Sequence, residues 1–243
     1  MTLKPIDRVQ KRANDAPIEA DRVGGVFDLK IHTESHVGSQ NSSLRDLIAE
    51  SGLAPLTSAQ YAQFDAYLGL FMRWNARVNL SAIRTEEGVI SRHFLESSAT
   101  AQRLPLELSS LLDFGSGGGL PGIPIAFLRP DIELVLAESQ RKKSVFLREV
   151  VRSLGLKVRV HAGRAEDLDQ RFEGVIMRAV DRMEGAVRAA AALVKPSGSL
   201  YLMVTRDEIV NLESALGGDW VWQIETPLPS RDKQVLLIGK KLG

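Results

Sequence analysis

From Ser109 onward short apolar runs alternate with segments of helical period, and this alternation constrains the chain more than any other feature. The runs are LLDFG (111–115), IELVLAE (132–138), VRVHAG (158–163), GVIMRA (174–179) and LYLMVT (200–205), with helices expected near 121–129, 141–154, 181–194 and 206–216. Apolar runs this short, each followed by a helical segment, are the pattern of βαβ units in a mostly parallel sheet. Two more extended runs, WVWQIE and QVLLIGK, flank a proline-bearing connection and would add a C-terminal antiparallel hairpin.

The chain ahead of the sheet reads as helical. SLRDLIAESG opens on Ser43 and stops at Gly52, and the next segment starts with Thr57 and Gln60 in capping-box spacing. Tyr61, Phe64, Leu68, Phe71 and Trp74 then recur at three- and four-residue steps, an aromatic inner face for a helix that packs on the next domain. A third helix is expected from Thr85 past His93. Residues 1–43 hold few large apolar side chains and no sustained period, so a flexible extension is expected there. His32 and His36 sit four apart within it, and solvated histidines are the expectation rather than a metal site. The division expected is therefore an extension (1–43), a helical subdomain (44–108) and a sheet domain (109–243).

Five glycines crowd the first strand–helix junction, LLDFGSGGGLPGIP. A β-to-α turn of this kind lets backbone approach a ligand and adopt positive φ. A dinucleotide fingerprint needs a glycine three residues after Gly117, and Leu120 stands there. Pro121 and Pro124 remove amides that a phosphate would use, and no Gly-Lys-Ser/Thr follows. What remains is a loop for a ligand without phosphates, carrying an amino acid moiety and a ribose. Glu138, 23 positions beyond Gly115, ends the second strand, where a carboxylate can accept from both ribose hydroxyls. Ala165 and Glu166, after the third strand, are placed to flank an adenine. By analogy of fold, a parallel sheet with a terminal hairpin points to a class I, Rossmann-like S-adenosylmethionine-dependent methyltransferase.

The chain has no cysteine, which excludes thiolate catalysis and with it the cysteine route to pyrimidine carbon 5. The fourth strand ends in IMRAV, not the Pro-Pro-aromatic motif common in enzymes that methylate exocyclic amines. Guanine N7, a nucleophile with no proton to lose, needs no general base, and Arg178 stands at the mouth as the candidate catalytic residue. Between Arg141 and Arg164 lie Arg141, Lys142, Lys143, Arg148, Arg152, Lys157, Arg159 and Arg164 against the single acid Glu149, a one-sided run that favours a polyanion. Val145, Phe146, Val150, Val151 and Leu154 are the expected buried stripe of that helix. Arg73, Arg77, Arg84 and Arg92 form a second basic cluster. No apolar run has the length of a membrane span, and a cytoplasmic monomer without metal is the expectation.

Taken together, DFGSGGGLPGIPIAFLRPDIELVLAESQRKKSVFLREVVRSLGL, HAGRAEDL and MRAV, with RWNARVNLSAIR and RHFLESS upstream, resemble the bacterial small-subunit (16S) ribosomal RNA guanine-N7 methyltransferases, the RsmG (GidB) family. The resemblance spans about residues 44–240. It implies S-adenosyl-L-methionine as cofactor and a guanine of the small ribosomal subunit as substrate. Family cofactor contacts fall here on Gly115, Leu120, Ala165, Glu166 and Arg178, to which the residue reading adds Gly117 and Glu138. Glu138 stands where many members have Asp. Two other readings stay open: a small-molecule methyltransferase of the same fold, and an RNA-binding module with a vestigial cofactor pocket.

Overall fold

Residues 37–178, 183–229 and 234–243 are described by a computed structural model. Residues 1–36, with His32 and His36 among them, lie outside the described residues. The alternation beyond Ser109 folds into one 7-stranded sheet ordered β3-β2-β1-β4-β5-β7-β6. Its strands are β1 (Ser110–Phe114), β2 (Glu133–Ala137), β3 (Val158–His161), β4 (Phe172–Arg178), β5 (Val194–Thr205), β6 (Trp220–Pro227) and β7 (Gln234–Lys241). The first five are parallel, and β7 inserts antiparallel between β5 and β6. β5 starts earlier than its apolar run: Val194 pairs with Phe172, then the register shifts before Ser199 meets Gly174. Ser197 takes φ 57 within that irregular stretch, whose residues 195–199 (KPSGS) form no apolar run to mark it.

Side chains alternate across the sheet, as strand geometry requires. Leu111, Leu134, Leu136 and Ile176 face one core, shared with the helical front section; Leu112, Val135, Val175 and Leu202 face the other. The front section comprises α1 (Val37–Glu50), α2 (Ser58–Val78), α3 (Glu86–Gly88), a π-helical turn (Val89–Phe94) and α4 (Leu95–Arg103). α1 begins before the expected Ser43. Thr57 and Gln60 form the expected capping box of α2, and Asn79 ends it with φ 57. The π turn left no trace in the period: it adds one residue per turn without altering the apolar sequence.

The aromatic face of α2 packs as expected. Phe64, Tyr67 and Phe71 are buried, stacking on or meeting edgewise Phe94, Phe127 and Phe146. Trp74, half-buried, reaches Phe146 with ring centroids 5.6 Å apart. The remaining helices are α5 (Gly122–Leu128), α6 (Arg141–Ser153), α7 (Met183–Ala192) and α8 (Ile209–Leu216). On α6 the buried residues are Ser144, Phe146, Leu147 and Val150. Val145, expected inside, is 44% exposed, because the helix turns its Phe146–Val150 side to the core and carries Val145 out among the basic residues.

Candidate functional site

Strand register builds the site. Phe114 pairs with Ala137 on one side and with Met177 on the other. The next residue of each strand or its exit is Gly115, Glu138 and Arg178, so all three stand side by side at the carboxyl edge of the sheet. Here the strand order reverses, the place where α/β sheets bind ligands. Two cavities of about 490 and 540 Å³ meet at Gly115 and Ser139. The first contains Gly117, Leu120, Glu138 and Arg178; the second contains Ala165 and Glu166. The structure thus brings all seven expected residues to one cleft.

The glycine loop is held from both sides. Gly115, Gly117 and Gly119 have φ of 71, 56 and 82, a region costly for other residues. A Cβ at Gly118 would lie 2.8 Å from the Phe71 ring and 3.3 Å from Leu80 Cβ, so the front section fits against the loop only if this residue is glycine. The buried Tyr67 hydroxyl donates to the Gly118 carbonyl. Burial raises its pKa, with Asp113 adding to the shift and Arg178 opposing it. From the sheet side, Glu138 Oε2 accepts the Gly117 N–H at 2.9 Å and Oε1 accepts the Gln140 N–H at 2.6 Å. A carboxylate has about four lone-pair sites, so each oxygen keeps one for a ligand hydroxyl.

Asp113, at the end of β1, accepts from the Gly122 N–H at 3.2 Å. Burial pushes its carboxyl from 3.8 up to about 7; Ser116 and Gly122 oppose the shift through hydrogen bonds, and the Glu138 charge adds to it. Arg178 Nη2 donates to Glu96 Oε2 of α4 at 2.5 Å, an ion pair whose side chains are 7% and 0% exposed. Burial lowers the Arg178 pKa and Glu96 opposes that. Its other terminal nitrogen, Nη1, is buried with no hydrogen-bond partner. Arg178 therefore has both a structural commitment and an uncommitted donor beside the cavity.

Sequence reasoning missed one wall. Leu80, Ser81 and Ala82 between α2 and α3, His93 of the π turn and Lys143 of α6 also line the first cavity. Asn75 stitches the 79–84 connection in place by donating to the Ile83 carbonyl and accepting from the Ser81 N–H. His93 Nε2 lies 2.8 Å from Ser81 Oγ. Burial, then the charges of Arg178 and Arg92, lower its pKa to about 3. The only sequence signal for Glu96 was an acid within a stretch of small and apolar residues; His93 precedes it by three, on the same helix face.

Arg141, Lys142, Arg148 and Arg152 project outward from α6, and Lys157 and Arg159 are exposed beyond it. Arg73 and Arg77 are exposed on α2, which packs on α6 through Trp74 and Phe146. Some of the basic set is engaged within the protein: Arg164 pairs with Glu166 at 2.6 Å, Arg159 donates to Gln170 Oε1 at 2.5 Å, and Arg84 donates to the Asn75 carbonyl at 2.6 Å and to Asn79 Oδ1. No helix among the described residues is long and apolar enough to cross a membrane.

Solved structures share the fold at low identity. One is a protein of Methanococcus maripaludis assigned to the S-adenosyl-L-methionine-dependent methyltransferases (TM-score 0.52, 12% identity, covering 62% of this chain and 85% of that one). Another is an O-methyltransferase family protein from Burkholderia thailandensis (TM-score 0.50, 14% identity, 76% and 70% covered). In sequence the chain is 39% identical over 188 residues to the ribosomal RNA small subunit methyltransferase G of Stenotrophomonas maltophilia K279a, spanning 74% of this chain and 85% of that protein. It is 38% identical over 182 residues to the protein of that name from Xylella fastidiosa M23, spanning 72% and 85%. Residues 60–223 match the GidB family, rRNA small subunit methyltransferase G. With the cleft, the glycine loop and the match all falling on the same residues, this chain belongs to the rRNA small subunit methyltransferase G family.

Proposed function

We propose that this protein transfers the methyl group of S-adenosyl-L-methionine to N7 of a guanine in small-subunit ribosomal RNA. The observation that carries the reading is the register of β1, β2 and β4, which sets a glycine loop, a carboxylate and an arginine along one cleft in a chain of this family. The residues fit the cofactor. Glu138 keeps lone pairs for a ribose diol, the Gly115–Gly119 backbone leaves room for the amino acid portion, and Ala165 and Glu166 flank the second cavity where an adenine belongs. Leu120 supplies an apolar contact, and Arg178 Nη1 is a buried donor suited to a carboxylate or a base acceptor.

The cofactor supplies an electrophilic methyl on a sulfonium. The protein's part is to hold the acceptor nitrogen in line and exclude water, which accounts for most of the gain when no proton must be moved. Guanine N7 has its lone pair available at neutral pH, so the absence of a positioned general base is no obstacle. The exposed cations of α6 and α2 would hold phosphates around the mouth. Cytoplasmic action as a monomer, with 44–108 and 109–243 as its two subdomains, completes the proposal.

The test is incubation with labelled cofactor and unmodified small ribosomal subunits, followed by mass mapping of the RNA. The expected result is one methyl group on N7 of one guanine. Labelling only of small molecules, or cofactor retained in equilibrium dialysis without transfer to any RNA, overturns it.

A further inference from the structure

The cavity wall contributed by the front section has a polar group that the cofactor residues do not account for. Ser81 is half-buried and lines the cavity with His93. Its Oγ accepts the Ile83 N–H at 3.1 Å and lies 2.8 Å from His93 Nε2. The direction of that second bond follows from the other ring nitrogen. His93 Nδ1 is buried and has no hydrogen-bond partner. A proton on Nδ1 would be an orphaned buried donor, costlier than an orphaned lone pair. Neutral imidazole carries one N–H, so the proton belongs on Nε2, and Nε2–H donates to Ser81. The depressed His93 pKa agrees with a neutral ring. A serine oxygen has two lone pairs, and both are then taken. The Ser81 hydroxyl is left only as a donor, with no acceptor among the described residues, at the surface of the cavity.

We infer that Ser81 is a specificity residue, its hydroxyl donating to O6 of the guanine whose N7 receives the methyl group. The inference rests on the function proposed above and adds how the base is chosen. On the edge that carries N7, guanine offers a second acceptor, O6, whereas adenine offers an amino donor at the same place. A hydroxyl locked as a donor accepts the first base and opposes the second. Were the hydroxyl able to rotate and accept, it would tolerate both. His93 and the Ile83 amide remove that option, so His93 acts as a positioning residue through Ser81.

The experiment uses the full chain and unmodified small ribosomal subunits, with wild type, Ser81→Ala and Ser81→Thr compared in steady-state methylation and cofactor affinity measured by calorimetry. Loss of one such contact is expected to lower kcat/KM for the subunit by about five- to hundred-fold in Ser81→Ala. Ser81→Thr should recover most of it, and cofactor affinity should stay within about twofold. Unchanged kcat/KM in Ser81→Ala overturns the assignment. A parallel loss of cofactor affinity also overturns it, because the hydroxyl then serves the cofactor carboxylate. The second arm does not depend on the stability of a variant: subunits carrying 2-aminopurine, which keeps N7 but lacks O6, replace the target guanine. Wild type should lose the same factor on that base and Ser81→Ala no further factor; equal use of both bases by wild type refutes the contact. A wild-type protein that methylates no guanine N7 in the unsubstituted control refutes the underlying function, and this inference with it.

Discussion

Two buried ionisable groups, Asp113 beneath the glycine loop and His93 in the cavity wall, oppose each other. Asp113 is raised to about 7, so between about pH 4 and 7 the folded chain holds a proton that the unfolded chain has released. Its contribution therefore falls as pH rises through that window, by roughly 1.4 kcal/mol per unit. His93 is lowered to about 3, so between about pH 3 and 6.5 the unfolded chain holds the extra proton, and its contribution rises with pH. Urea unfolding should show Asp113→Asn gaining stability relative to wild type from pH 4 to 7, and His93→Gln losing it. Parallel curves for either variant and wild type would refute the assignment for that residue. Glu138→Ala should weaken cofactor binding at least tenfold in calorimetry while the chain stays folded; undiminished affinity would remove Glu138 from the site. Arg178→Ala is a poor probe of the same site. It breaks the buried ion pair with Glu96, at a cost of up to about 3–5 kcal/mol, so loss of binding would be confounded with loss of fold.

Among the elements, the glycine loop and α2 depend on each other. Phe71 is fully buried and the Tyr67 hydroxyl holds the Gly118 carbonyl, so neither the ring nor the loop can retreat from a Cβ at Gly118. Gly118→Ala should cost about 1–3 kcal/mol in thermal or urea unfolding, as overpacking does, and should lower cofactor affinity with it. Full stability in this variant would show that α2 does not brace the loop. The strands of the sheet and α2 itself were legible because short apolar runs and a period-3.6 pattern are local. The π turn, the early start of β5 and the outward Val145 were not. Each depends on a register or rotation set by neighbours, which leaves no period behind.

For the molecule as a whole, basic elements stand near the cleft, with Lys143 of α6 lining it. α6 and α2 pack together through Trp74 and Phe146 and turn Arg141, Lys142, Arg148, Arg73 and Arg77 outward. Phosphate contacts release counterions, so affinity for subunit RNA should fall by roughly tenfold or more between 50 and 200 mM salt. Charge reversal at Arg148 and Arg152 should flatten that slope without altering cofactor affinity. A salt-independent affinity would point to a small-molecule substrate.

The sequence by itself determined the strands of the sheet and the carboxyl-edge position of Gly115, Gly117, Glu138, Ala165, Glu166 and Arg178, because a β-to-α turn and the ends of parallel strands are fixed by local pattern and strand direction; Leu120 entered through the family resemblance. Only tertiary structure decided which groups share the cleft with them. Glu96, His93 and Ser81 reach Arg178 or the cavity across long sequence separations, through the packing of the front section on the glycine loop. Which lone pairs and protons remain for a ligand depends on those contacts, and no periodicity records them.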